Sequence, residues 1–149
     1  MEKYLQPIVD FLDSHHWSDD EAEFALIQYD IVDVMEQNQI GVESVQPILE
    51  LMEKHPLVEF GSPGPLTHFI EKFYQENSRF YEDLLLQSVL KQPTVHTVWL
   101  LNRIINGVKT ENSLELIQVL KSISVNTAIH QEIRLVAVNF LEYQSKNEA

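Results

Sequence analysis

Apolar residues recur along this chain with the spacing of buried helix faces. Ile133, Val136, Ala137, Phe140 and Leu141 follow the i, i+3, i+4, i+7, i+8 pattern, and residues 45–52 and 98–108 carry the same spacing. No segment shows the sustained alternation of apolar and polar residues that is typical of a half-buried strand. The pattern therefore predicts an all-α fold with little or no sheet.

Capping residues mark where these helices begin. Ser18 and Glu21 match a capping box, in which two side chains satisfy free backbone amides reciprocally. Ser44 is placed to cap a third helix, because Pro47 then falls in the first turn, where the missing amide costs little. The later predicted caps are Asn77 or Ser78, Thr94, Thr110 and Thr127.

One strong breaker cluster, Gly61-Ser62-Pro63-Gly64-Pro65, interrupts the helical pattern. It predicts a rigid corner, with Pro65 starting the next helix. The resulting prediction is about eight helices, at residues 3–13, 18–38, 44–54, 65–76, 79–91, 94–107, 111–123 and 127–144.

The last four predicted starts, at residues 78, 94, 111 and 127, are almost evenly spaced. Alternate starts lie about 33 residues apart, the length of an αα-hairpin repeat. The spacing favours antiparallel helical hairpins stacked in a HEAT- or armadillo-like array, although the residues themselves do not repeat and a plain multi-helix bundle stays open. The length of 149 residues fits a single helical domain over residues 1–149.

Charge is distributed unevenly along the chain. The net charge is −13, and residues 1–60 hold 14 acidic and only two basic residues, whereas residues 61–149 hold nine acidic and eight basic residues. The acidic part, residues 1–60, therefore carries nearly the whole excess, and the helical stack predicted for residues 61–149 is near neutral. Such a surface repels nucleic acid and anionic membranes and attracts a basic protein partner.

Within the predicted helix at 18–38, the acids gather on one side. At 100° per residue, four carboxylates fall within about 40° of one direction: Asp19, Glu23, Asp30 and Asp33. Leu26 lies among them, and Phe24, Ile31 and Met35 lie on the opposite, core-facing side. No basic residue occurs from residue 4 through 53 to neutralise these acids.

This helix has two interpretations, a solvated face or an electrostatic docking surface for a basic partner. A charged run alone is usually a solvated face, but the unrelieved repulsion between acids at i, i+3 and i+4 costs a few tenths of a kcal/mol per pair, which gives the docking surface equal standing. The predicted partner-binding residues are Asp19, Asp20, Glu23, Leu26, Asp30, Asp33 and Glu36.

Other chemistry has little support in the sequence. Outward-facing carboxylates on one helix diverge, no calcium-binding loop is present, and His15-His16 is an ordinary surface pair, so we expect no metal site. The chain has no Cys, no nucleophile motif and no phosphate-binding loop, so we expect neither an enzyme nor a cofactor. Arg103, between Leu101 and Ile104, is interpreted as a structural residue that is paired within the fold.

Two runs carry a resemblance. Residues 59–66, Glu-Phe-Gly-Ser-Pro-Gly-Pro-Leu, lead into His68-Phe69-Ile70-Glu71, and residues 93–106 read Pro-Thr-Val-His-Thr-Val-Trp-Leu-Leu-Asn-Arg-Ile-Ile-Asn. Over roughly residues 55–125 the chain resembles small all-helical bacterial immunity proteins, which neutralise toxins of polymorphic and contact-dependent inhibition systems. The resemblance implies a cytoplasmic, non-enzymatic protein that binds one cognate toxin domain. It transfers no functional residue, because such families vary their binding faces.

The leading hypothesis is an immunity protein whose acidic surface binds a basic toxin domain, for example a nuclease, since phosphate contacts make nuclease grooves basic. The alternative is a helical-repeat scaffold or adaptor without a toxin partner. Neither hypothesis involves a nucleic acid or a membrane, and the N-terminus lacks the pattern of a signal peptide, so we expect a cytoplasmic protein.

Overall fold

The computed structural model describes residues 1–107 and 111–147, so the predicted helix-face residue Val108 and the predicted cap Thr110 lie outside the described residues. Within this part of the chain the protein is all-helical, as predicted, and contains no strand. Eight α-helices are described: α1 (Glu2–Ser14), α2 (Glu21–Gln37), α3 (Val45–Lys54), α4 (Pro65–Glu76), α5 (Ser78–Lys91), α6 (Val95–Gly107), α7 (Glu111–Val125) and α8 (Gln131–Asn147). None of these described helices combines the length and the apolar character needed to cross a membrane.

The start of α2 differs from the prediction. The N-cap is Asp20, whose carboxylate accepts a hydrogen bond from the backbone N–H of Glu23 at 3.0 Å. The predicted Ser18 capping box is therefore wrong. The Ser18 hydroxyl lies 2.6 Å from His16 Nδ1, and Asp19 accepts a hydrogen bond from the His16 N–H, so these side chains close a turn before the helix begins.

Two other predicted caps are also wrong. Ser44 ends a short 3₁₀ turn (Val42–Ser44), and its buried hydroxyl donates to the Gly41 carbonyl at 2.7 Å. Thr127 lies in a turn ahead of α8, which begins four residues later. A backbone hydrogen bond from Ile129 N–H to the Asn126 carbonyl holds Thr127 in this turn. At the start of α8, His130 Nδ1 accepts a hydrogen bond from the backbone N–H of Glu132 at 3.1 Å.

Three predicted boundaries are confirmed. The Asn77 carboxamide oxygen accepts the N–H of Phe80 at the start of α5. Thr94 and Thr97 bond each other's backbone amides reciprocally at the start of α6, at 3.2 and 2.9 Å. The breaker cluster is a loop, and Pro65 occupies the first turn of α4, where a missing N–H leaves no hydrogen bond unmade.

Contacts divide the chain into two compact units. The first, unit 1, comprises Met1–Leu51 and Val58–Leu84. In this unit α2 packs against α1 and α4. Phe24 stacks on Phe11 at a centroid distance of 5.2 Å and lies 5.7 Å from the ring of Phe60. This row of buried aromatic rings joins α1, α2 and the loop before α4.

The second, unit 2, comprises Met52–Leu57 and the described residues from Leu85 onward. Its helices α7 and α8 pack closely, and α6 contacts both. Near the end of α8, Gln144 Nε2 donates to the carboxamide oxygens of Asn102 and Asn106, at 3.0 and 2.6 Å. These bonds join the C-terminal half of α6 to the last turns of α8. The single domain expected from the chain length stays a prediction.

Candidate functional site

Helix α2 exposes an acidic face. Glu23, Asp30, Asp33 and Glu36 are all exposed on this helix, and Leu26 among them is 55% exposed. We call these five residues the α2 acidic face. The opposite side of α2 is buried through Phe24, Ile31, Val32 and Met35. The periodicity therefore placed acids and core on the correct sides of this helix.

The two remaining predicted residues precede the helix. Asp19 and Asp20 are exposed, but each carboxylate already accepts a backbone hydrogen bond, at 3.0 Å in both cases. These bonds fix the turn into α2 and satisfy a free amide at its start. The two side chains therefore have a structural role that the five residues of the α2 acidic face do not share.

Within the described residues, no basic side chain forms an ion pair with the acids of the α2 acidic face. In unit 2, by contrast, the carboxylate of Glu53 is paired: it lies 3.3 Å from Lys91 Nζ and accepts a hydrogen bond from the Ser88 hydroxyl at 2.9 Å. The described part of the chain also holds no group of three or more His, Asp or Glu side chains that could bind a metal ion. Within this part of the chain, ion pairs therefore do not neutralise the carboxylates of the α2 acidic face.

Apolar side chains accompany the exposed acids. Tyr29 is 56% exposed, and Val34 is exposed as well. Together with Leu26 they give this side of α2 a mixed character, in which apolar surface alternates with carboxylates. Helical periodicity predicts the exposure of Leu26, whereas Tyr29 and Val34 were not among the predicted contact residues. Mixed apolar and charged surface is common where proteins bind each other, with the apolar part supplying the desolvated contacts.

A cleft of about 300 Å³ lies beside this face, between α2 and the loop that precedes α4. On the helix side it is lined by Trp17, Glu21, Gln28 and Tyr29, and on the other side by residues 59–65. Tyr29 contributes both to the cleft and to the exposed surface of α2. The cleft and the α2 acidic face are therefore adjacent parts of one surface.

Close backbone approach shapes the loop wall of the cleft. Gly61 has a φ of 100°, in the left-handed region that glycine adopts without strain. A Cβ atom at Gly64 would collide with the carbonyl oxygen of Phe60, so a larger residue would push the loop apart. Phe60 itself is fully buried against Phe24. The predicted rigid corner is thus held to the same aromatic row that holds α2.

Gln28 is the unusual residue of the cleft. It is only 2% exposed, and its Oε1 atom is buried without a hydrogen-bond partner. A buried acceptor that bonds to nothing lowers the stability of the fold by about 1–3 kcal/mol. Buried polar groups are usually satisfied, and an exception requires an explanation.

A second polar cluster, on α6 in unit 2, is satisfied internally. The Arg103 guanidinium lies 4.9 Å from the centroid of the Trp99 ring, and the ring of buried His96 lies 5.1 Å from Trp99. Burial, together with the nearby positive charge of Arg103, lowers the pKa of His96 to about 3. His96 is therefore neutral at physiological pH and sealed from solvent, which is typical of a core histidine.

Comparison with models of known protein families, with curated proteins and with solved structures finds no match to this chain.

Sequence reasoning missed the cleft, although one signal was present. Gln28 lies three residues before Ile31 and four after Phe24, on the core-facing side of the helix. A polar side chain at such a position was the available indication. The loop residues that line the cleft with it, such as Glu59, lie about thirty residues away in sequence, and helical periodicity carries no information about them.

Proposed function

We propose that this protein is an immunity protein that binds and neutralises a cognate bacterial toxin domain through the α2 acidic face. The observation that carries the proposal is the exposure of four carboxylates on one helix face without an ion pair to any described residue, beside exposed Leu26 and Tyr29. Like charges left together lower the stability of the isolated protein. A basic partner would relieve that repulsion on binding.

The proposed partner is a basic toxin domain, and a nuclease fits best. Nuclease grooves are positively charged because contacts with phosphate groups dominate their affinity for substrate. An acidic helix face can occupy such a groove in place of the phosphates. Charge complementarity of this kind also speeds association, because it steers the two proteins together before they touch.

The resemblance of residues 55–125 to all-helical immunity proteins supports the same proposal. In this account the chain acts without catalysis, in the cytoplasm, by covering the toxin's active site or its path to substrate. We also propose that the helices of unit 2 form part of a HEAT-like array. The packing of α6, α7 and α8 against one another and the five-residue connection between α7 and α8 support stacked antiparallel hairpins.

A growth assay tests the proposed function. The gene just upstream is expected to encode a large toxin, and its C-terminal domain is expressed in bacteria with or without this protein. Cells that carry the wild-type protein should grow, and cells that carry Glu23→Lys with Asp30→Lys should be protected less. Killing that the wild-type protein does not reduce, at normal protein levels, would refute the proposal.

The alternative, a scaffold or adaptor without a toxin partner, has support in unit 2. Leu114, Leu135 and Tyr143 on α7 and α8 are all more than half exposed, which gives this unit an apolar surface of its own. The two functions differ in where a partner binds. Glu115→Lys with Glu142→Lys, on α7 and α8, should impair a scaffold but leave toxin neutralisation intact.

A further inference from the structure

The cleft beside α2 combines three features that no internal contact explains. At its wall lies Gln28, with a buried Oε1 that accepts no hydrogen bond. Exposed carboxylates lie on both sides, Glu21 on α2 and Glu59 on the loop. Aromatic rings, those of half-buried Trp17 and exposed Tyr29, form part of the lining. Acceptors, negative charge and flat apolar surface are thus gathered within about 300 Å³.

We infer that this cleft receives an arginine side chain of the partner protein. The inference rests on the proposed function and specifies the group that the partner inserts. A guanidinium group carries five N–H donors in a plane, is always charged and stacks on aromatic rings. Its donors are chemically complementary to the unused oxygen of Gln28 and the two carboxylates, and its plane can stack on an aromatic ring such as that of Trp17 or Tyr29.

The size and charge of the cleft exclude the main competing ligands. A volume of about 300 Å³ lies at the lower limit for small-molecule sites, so it suits one side chain better than a cofactor. Glu21 and Glu59 would repel a phosphate or carboxylate ligand. A lysine side chain brings charge, but its ammonium is a strongly hydrated point charge that cannot present a planar set of donors.

Gln28 needs little rearrangement to serve as the acceptor. The terminal torsion of a glutamine side chain has a broad energy minimum, so the amide can turn its oxygen toward a donor in the cleft. The backbone on both sides is held by the packing of Phe24 between Phe11 and Phe60. A preformed site of this kind loses less free energy on binding, because few groups must be ordered.

A titration with small peptides tests this inference without the toxin. The probe is a capped glycine–arginine–glycine peptide, added to the full-length protein and followed by NMR at the Trp17 indole and the Gln28 side-chain amide. The controls are the matching lysine peptide and the citrulline peptide, which has the shape of arginine without its charge. The arginine peptide should shift both signals and bind at least about fivefold more tightly than either control.

Variants identify the groups responsible. Gln28→Leu removes the acceptor and Glu59→Gln removes one charge at an exposed loop position, and each should weaken arginine binding at least about threefold. Glu76→Gln, an exposed residue at the end of α4 outside the cleft, makes the same charge change and should leave binding unchanged. Equal binding of arginine and lysine peptides, shifts outside the cleft, or wild-type affinity in Gln28→Leu would overturn the inference.

The peptide titration and the growth assay fail independently. If the arginine peptide does not bind while the protein still neutralises the toxin, only the inference about the cleft is wrong. If the peptide binds in the cleft while no toxin is neutralised, the proposed function is wrong and the arginine site stands.

Discussion

Helices α2 and α6 both carry polar side chains next to buried apolar ones. In the described part of the chain, the polar side chains of α6 have partners within the fold, whereas those of the α2 acidic face and Gln28 Oε1 do not. On α6, Arg103 lies over Trp99, and Asn102 accepts a hydrogen bond from Gln144 of α8. On α2, the acidic face has no ion pair within the described residues, and Gln28 Oε1 accepts no hydrogen bond.

The difference separates two uses of polarity. Polar groups that are paired inside the fold stabilise it and fix how helices pack, so changing them should alter stability. Polar groups left without a partner lower stability, and a protein retains them where something outside the fold supplies the partner.

Acid should destabilise the α6 region through His96. The pKa of His96 is about 3 in the folded protein against 6.5 without the fold, so between these values the unfolded chain binds a proton that the folded chain does not. The stability is fully present above pH 6.5 and falls by about 1.4 kcal/mol per pH unit as the pH drops toward 3. Urea unfolding at pH 7 and pH 5 measures this loss.

The control is His96→Leu, which cannot bind the proton. The two proteins differ in no other titratable group, so the difference between their pH slopes isolates His96. Identical slopes would show that His96 is not held neutral by the fold.

Arg103→Ala should lower the free energy of unfolding by about 1–2 kcal/mol, because it removes the cation–π contact with Trp99 and the packing of the side-chain stem. The melting temperature should fall by about 2–4 °C for each kcal/mol. Partner affinity should stay unchanged at a temperature where both proteins are folded. A fully stable Arg103→Ala protein that no longer binds its partner would place Arg103 in the binding surface instead.

Gln28→Leu should stabilise the protein, whereas Arg103→Ala should destabilise it. Replacing a buried acceptor that bonds to nothing by an apolar side chain of similar length should raise the free energy of unfolding by about 1 kcal/mol. The matched control is Gln87→Leu on α5, an exposed position where the change should stay within about 0.5 kcal/mol. Thermal unfolding of both variants compares them, and a loss of stability in Gln28→Leu would contradict the assignment of a free acceptor.

The sequence predicts boundaries well where one local signal dominates. Helix α4 begins and ends where predicted, because Pro65 fits the first helical turn and Asn77 caps the next helix. The starts of α2 and α8 were predicted too early. There, Asp19 and His130 accept hydrogen bonds from nearby backbone amides and hold the chain in turns. Residue preferences alone do not decide between such a turn and an earlier start of the helix.

In the candidate site, too, the sequence predicts the features that depend on one helix and not those that depend on contacts between distant segments. Helical periodicity was enough to place Glu23, Asp30 and Asp33 on an exposed face, because that face depends on one helix only. The cleft could not be predicted, since it forms only when a loop distant in sequence folds against α2. Gln28 signals the cleft in the sequence only as a polar residue on a core-facing position.

Association kinetics with the toxin domain test the central claim, that the α2 acidic face binds a basic partner. The wild-type protein is compared at low and high salt with Glu23→Lys/Asp30→Lys and with Glu115→Lys/Glu142→Lys, which makes the same charge change at exposed positions of α7 and α8. Both variants should fold normally, because all four residues are exposed. The account predicts that the wild-type rate falls with salt and that the α2 variant associates at least about tenfold more slowly at low salt, while the control stays close to wild type. Equal rates for all three proteins, without dependence on salt, would contradict it.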